Sequence, residues 1–346
     1  MTELDQLWAF SFFFLGAIIG SFLNVCIVRL PHGKSVVFPS SHCVHCQKAI
    51  AWYDNVPLLS YLILGGKCRN CRAPIGIRYF LVELITALTF FLFYKYFGLK
   101  PILFPYLVMV SGFIVATFVD FEHRIIPDEV SIGGTIVGFI FSVFIPQLHG
   151  QDVYWKGALW SLIGLAAGGG AIYLMGLLGN LVIPRSKRKV DSVAKEELFQ
   201  VMSPIGKEEF EALWRELERC GYLIIKGEEA DVLDSFWEVK RAQDLNLGPE
   251  FAGLQKKVYK VLRMDTMGGG DVKLMAMVGA FMGWQCALLA FFLAPFFGAL
   301  YGIVEKLRTK ESTIAYGPFL VLGALISLFK RDEITRWIAS GYGIHY

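Results

Sequence analysis

Long apolar runs alternate with short polar segments along most of this chain. Crossing the ~30 Å hydrocarbon layer of a bilayer takes about 20 apolar residues in a helix. The first run is Trp8–Val28. Others follow at about 79–97, 101–119, 130–146 and 157–183. After a long polar stretch come runs at about 272–283, 285–304 and 314–329, with a turn near Gly283-Trp284. The pattern predicts an all-α polytopic membrane protein of about eight transmembrane helices, the sixth being short. Five segments follow: the first helix (1–28), a polar loop (29–78), helices two to five (79–183), a soluble insert (184–265) and helices six to eight (266–346).

Composition supports this. Of 346 residues, 55% are hydrophobic and only 18% charged, against about 25% charged in soluble chains. The net charge of +3 is too small to argue for nucleic acid. The placement of charge is more informative. The loops 29–78, 120–129, 184–271 and 305–313 hold 26 of the 33 Lys and Arg, the opposite side only 6. Positive loops stay in the cytosol, so these loops are expected there and the N-terminus outside. No Lys or Arg precedes Trp8, so the first run reads as an uncleaved anchor rather than a signal peptide.

The insert opens a helix at Ser203-Pro204, with Phe210, Leu213, Trp214 and Leu217 on one face. That stripe needs a partner, on this chain or on another protein.

Loop 29–78 holds Cys43-Val44-His45-Cys46 and Cys68-Arg69-Asn70-Cys71, two CxxC pairs 21 residues apart. Such knuckles read as a tetrahedral zinc site, and a reducing cytosol disfavours disulfides. Four thiolates close the shell, so the metal is expected to be structural. His42 and His45 read as bystanders.

Two aspartates complete the chemistry. Asp120 ends the third run and Asp271 begins the sixth, after Gly268-Gly269-Gly270. The third helix runs inward and the sixth outward, so both carboxylates come to the same cytosolic depth. Two aspartates sharing a proton can activate a water and protonate a leaving amine; they can equally be interfacial helix caps. Asp128, after Pro127, reads as a cap, and Lys273 as a residue snorkelling to the interface. Glu83, just inside the second helix, needs a partner; Arg29 and Arg78 lie at similar depth.

At these residues the sequence resembles the type IV prepilin peptidases, bacterial members of the GxGD membrane aspartic proteases. The resemblance rests on Asp120 with Ile125-Ile126-Pro127-Asp128, Gly268-Gly269-Gly270-Asp271-Val272-Lys273, Gly20-Ser21-Phe22-Leu23-Asn24-Val25, Arg29-Leu30-Pro31, both CxxC pairs, Arg78-Tyr79, Val82-Glu83 and Tyr316-Gly317-Pro318-Phe319. It implies a multi-pass enzyme of the bacterial inner membrane, serving type IV pilus assembly or protein secretion. Such enzymes cut the leader from prepilins or pseudopilins at the cytosolic face, and many N-methylate the new terminus with S-adenosylmethionine. The resemblance implies Asp120 and Asp271 as catalytic, Gly268, Gly270 and Lys273 as motif support, and Glu83 in the methyl-transfer region. The cysteine loop belongs to the longer, bifunctional form of the family. The 184–265 insert departs from that pattern. Two rival readings are an ion transporter, which the scarcity of mid-span charges disfavours, and a non-enzymatic zinc-ribbon scaffold.

Overall fold

The computed structural model describes residues 3–182, 268–309 and 315–341. The 184–265 insert, with its expected helix, lies outside the described residues. The chain divides into two compact units, Met1–Tyr173 with Gly269–Tyr346, and Leu174–Gly268. The architecture below is that of the first unit.

Eight α-helices are described: α1 (Glu3–Arg29), α2 (Leu59–Ile63), α3 (Ile77–Phe97), α4 (Leu103–His123), α5 (Asp128–Phe144), α6 (Tyr154–Val182), α7 (Gly269–Thr309) and α8 (Gly317–Gly341). No strand occurs among the described residues. Five helical stretches are long and apolar enough to cross a membrane: Glu3–His32, Ile77–Phe97, Leu103–His123, Tyr154–Gly179 and Gly269–Val304. The apolar Gly317–Lys330 stretch is shorter. α2 is a single turn inside the cysteine loop. The sixth and seventh expected spans share α7, which breaks at Gly283 (φ 79, ψ 170).

These helices are apolar all round, as expected where the solvent is hydrocarbon. In α1, Phe12, Gly16, Gly20, Leu23 and Ile27 face inward. On the opposite side Phe10, Phe14, Ile18 and Phe22 are exposed at four-residue spacing. α1 packs mainly on α3, and α7 on α8 and α5. α4 lies among them, touching α1, α3, α5, α7 and α8. Leu23, Cys26 and Ile27 of α1, Val82 of α3, and Ile114, Val115 and Val119 of α4 form a buried apolar cluster. That cluster ends directly below Asp120.

α6 and α7 meet backbone to backbone. A Cβ on Gly279 would stand 1.9 Å from the Gly164 carbonyl oxygen, and one on Gly164 2.1 Å from that of Gly279. Small residues permit this approach, and with no hydrophobic effect in lipid it is close packing that holds such helices together. Just beyond, a helical bond from Trp284 to the Ala280 carbonyl would have to span the Gly283 break. That carbonyl accepts hydroxyls from Ser161 at 2.9 Å and Ser142 at 3.0 Å. The His149 Nε2 lies 2.9 Å from the Ser142 oxygen. Burial pushes the His149 imidazole down to about 4, so it stays neutral. Buried side-chain hydroxyls thus satisfy backbone exposed by the kink.

A methyl group at the α6–α7 contact has nowhere to go. Gly279→Ala should lower the thermal unfolding temperature in detergent, with an overpacking cost of about 1–3 kcal/mol. Gly133→Ala, where nothing lies within 4 Å, should be neutral or slightly stabilising.

Candidate active site

Asp120 sits one turn before the C-terminus of α4 and is only 6% exposed. The helix ends at Arg124, which adopts a left-handed conformation (φ 54) and returns its N–H to the Asp120 carbonyl at 2.9 Å. This left-handed cap, unusual for a residue with a side chain, turns the chain sharply. The turn brings Ile126 back beneath the helix end.

Asp271 is the third residue of α7 and is partly buried. α8 begins beside both aspartates. Tyr316 starts that helix, accepting the Phe319 N–H at 3.1 Å. The Gly317 N–H, in the first turn, has no partner within its own helix. It donates to Asp120 Oδ2 at 2.9 Å. Pro318 follows where a helix needs no N–H. The Tyr316 phenol lies within electrostatic reach of the Asp271 carboxylate. Gly317 touches Asp120 through its amide, and Gly270, the neighbour of Asp271, packs on the same Ile126 that covers Gly317, so the segments bearing the two acids converge here.

Ile126 holds this junction closed. A Cβ on Gly270 would come 3.1 Å from Ile126 Cβ, and one on Gly317 3.2 Å from Ile126 Cδ1 and 2.8 Å from Asp120 Oδ2. Gly270 and Gly317 thus provide close approach, whereas Gly269 has nothing within 4 Å and Gly268 is exposed. The Tyr316-Gly317-Pro318 segment was legible only as part of the family resemblance, with no role attached. A Gly-Pro pair opening an apolar helix was the available signal.

Lys273 does not snorkel alone: its Nζ meets Asp128 Oδ1 at 2.5 Å. Asp128 lies in the first turn of α5 with Pro127 as the cap residue, so it joins two helix starts instead of capping its own. Such a partly exposed pair contributes up to about 1 kcal/mol, enough to orient but not to hold the fold. Arg78 pairs with Glu122 of α4, and the His32 and His123 rings meet edge to face at 5.5 Å. These contacts tie the ends of the cysteine loop to the helix bearing Asp120. Glu83 pairs with neither expected arginine. Arg29 donates to the carbonyls of Ser35 and Pro39, and Glu83 accepts the Leu58 N–H at 2.8 Å.

The four cysteines do converge. Their sulfurs all lie within 4.8 Å of one another, Cys43 and Cys71 at 3.8 Å. Ligands about 2.3 Å from a tetrahedral zinc would stand about 3.8 Å apart, so the residues fit that metal. Each pair is the same knuckle built twice. Gln47 and Arg72, next after the second cysteine, take positive φ (58 and 59) and return their N–H groups to Cys43 and Cys68. Isolated bridges close each knuckle, His42 with Ala49 and Lys67 with Pro74. Arg69 braces the second knuckle through a two-pronged bond to Asp54, which holds that carboxyl below its usual range. The purified protein should hold one metal ion per chain by elemental analysis. Serine at any of the four cysteines should lower that content and the thermal stability of the loop.

Residues 14–97 match the bacterial peptidase A24 N-terminal domain, and residues 245–303 match the type IV leader peptidase family. The first match contains the cysteine loop and Glu83; the second contains Asp271. A Pseudomonas aeruginosa prepilin leader peptidase/N-methyltransferase is 29% identical over 93% of this chain and 90% of that protein. A Myxococcus xanthus protein of the same name is 28% identical over 88% of this chain, which spans 64% of that protein's length. An Escherichia coli type 4 prepilin-like proteins leader peptide-processing enzyme is 40% identical over 36% of this chain and 53% of its own. No solved structure matches. With two models of this kind matched in order and relatives aligned along nearly its whole length, the chain is similar to the type IV leader peptidases.

Proposed function

We propose that this chain is an aspartic endopeptidase of the bacterial inner membrane that removes the leader of type IV prepilins or pseudopilins at the cytosolic face. It then N-methylates the new terminal residue. The observation that carries the peptidase reading is the convergence of the Asp120 carboxylate and of Gly270, next to Asp271, on Gly317 and Ile126. Two carboxylates on one site share a proton. The ionised one takes a proton from water as the oxygen attacks the scissile carbonyl; the protonated one donates to the departing amide nitrogen. The Gly317 N–H fixes one Asp120 oxygen, which leaves the other to face substrate.

Zinc in the four-thiolate cluster supplies rigidity and no open coordination position. The methyl donor is S-adenosylmethionine, by family resemblance and by the N-methyltransferase names of the relatives. Residues 184–265 form a cytosolic segment whose apolar stripe meets another protein.

The test is to incubate the purified protein with a prepilin and weigh the product, since leader loss and methyl addition give separate mass changes. Asn at either Asp120 or Asp271 should slow cleavage by about a hundred- to ten-thousand-fold without changing the thermal unfolding temperature. A scaffold would tolerate both changes. Gly317→Ala should also slow cleavage, by about a hundredfold, because its methyl displaces the Asp120 carboxylate.

A further inference from the structure

The seam between α1 and α3 carries polar groups that the peptidase chemistry does not use. Close approach is made possible by Gly20, whose Cβ would stand 2.8 Å from Glu83 Cα. Glu83 enters this seam from α3, Ser21 and Asn24 from α1. Glu83 is partly buried within a membrane-spanning helix, where an acid is costly and usually functional. It accepts the Leu58 N–H at 2.8 Å, and the Ser21 hydroxyl lies near enough to favour its charged form. Leu58 takes a left-handed φ of 63 to present that N–H, a strained conformation for a branched side chain, and such strain is concentrated at functional sites. No Lys or Arg pairs with Glu83 among the described residues, because Arg29 holds carbonyls and Arg78 holds Glu122.

Asn24 adds a second, independent anomaly. It is 2% exposed, and its amide nitrogen donates to the Tyr79 carbonyl at 2.9 Å. Tyr79 lies one helical turn before Glu83. The Asn24 carboxamide oxygen is buried with no hydrogen-bond partner among the described residues. Leaving a buried acceptor unsatisfied costs about 1–3 kcal/mol. The seam thus holds a carboxylate lacking a cation and, on the adjoining turn, a carboxamide oxygen lacking a donor. A compact cation with several N–H donors satisfies both, and a primary ammonium has three.

We propose that the Ser21–Asn24–Glu83 seam binds a primary ammonium group used in methyl transfer. This rests on the methyltransferase half of the proposed function. Two ammonium groups belong to that chemistry: the terminus of the trimmed pilin and the amino-acid end of the methyl donor. Both share the chemistry the seam recognises. Glu83 and Asn24 bond Leu58 and Tyr79, whereas Asp120 bonds Gly317, so leader removal does not draw on the polar groups of the seam.

The test uses the full chain in lipid nanodiscs, as wild type, Glu83→Gln and Glu83→Asp. Cleavage and methylation are read separately by product mass. Binding is measured for a synthetic trimmed-pilin peptide, its N-acetylated form, and S-adenosylhomocysteine. Glu83→Gln should cleave prepilin at the wild-type rate but methylate at least about tenfold more slowly, the loss expected for a hydrogen bond to a charged group. Binding of either the free-amine peptide or S-adenosylhomocysteine should weaken about tenfold, and which one weakens identifies the ammonium. The N-acetylated peptide should bind wild type and Glu83→Gln alike, and Glu83→Asp should restore part of the loss. Unchanged binding of both ammonium ligands would overturn the proposal, as would cleavage falling in step with methylation. If the wild type cuts no prepilin, the proposed function fails instead, and the binding measurements still decide the seam.

Discussion

One hydrogen bond, from the Gly317 amide to Asp120, joins the end of α4 to the start of α8. It works because a helix start has spare N–H groups with partial positive charge, and a buried carboxylate needs donors. Neither group is satisfied without the other at this depth. The approach tolerates no side chain at Gly317, and Ile126 fills the remaining gap against Gly270. Three segments distant in sequence are thereby held to one geometry by contacts of about 3 Å.

Around that junction the fold divides its labour. The apolar α1–α3–α4 cluster sets the position of Val119 and hence of Asp120. On the other side, α7 is located by its glycine contact with α6 and by the hydroxyls gathered at Ala280. The break at Gly283 belongs to this second device: it turns the chain inside one continuous apolar stretch, and serines from α5 and α6 compensate the backbone. The cysteine loop is built differently. It has almost no apolar core, and Phe38, Trp52 and Ile63 are more than three-quarters exposed. Its order comes from two repeated backbone knuckles, the thiolate cluster and the Arg69–Asp54 brace.

The two polar centres share one logic. At the aspartate junction a backbone N–H from a helix start meets a carboxylate. At the α1–α3 seam a backbone N–H from a strained loop residue meets another. In lipid, where water is absent, such amides are among the few available donors. Glu83 differs in having, one helical turn away, a carboxamide whose oxygen is buried without a partner among the described residues.

The sequence alone determined the elements that depend on local pattern. Runs of apolar residues announce spanning helices because hydrocarbon thickness demands a minimum length. The two CxxC pairs announce a metal cluster because knuckle geometry is encoded within four residues. Opposed helix directions place Asp120 and Asp271 at one depth. Pairing depends instead on which faces meet, and only the tertiary structure decided it. Lys273 reads as a solitary snorkelling side chain until α5 brings Asp128 to it. Arg29 and Arg78 read as partners of Glu83 until loop carbonyls and Glu122 claim them. Gly317 lies 197 residues from Asp120, and no local periodicity connects an amide with a carboxylate across that distance. The physical reason is that apolar periodicity specifies how far a helix sits in the membrane and not how it is rotated. Rotation is set by close packing at a few glycines and by the buried polar groups that must find one another.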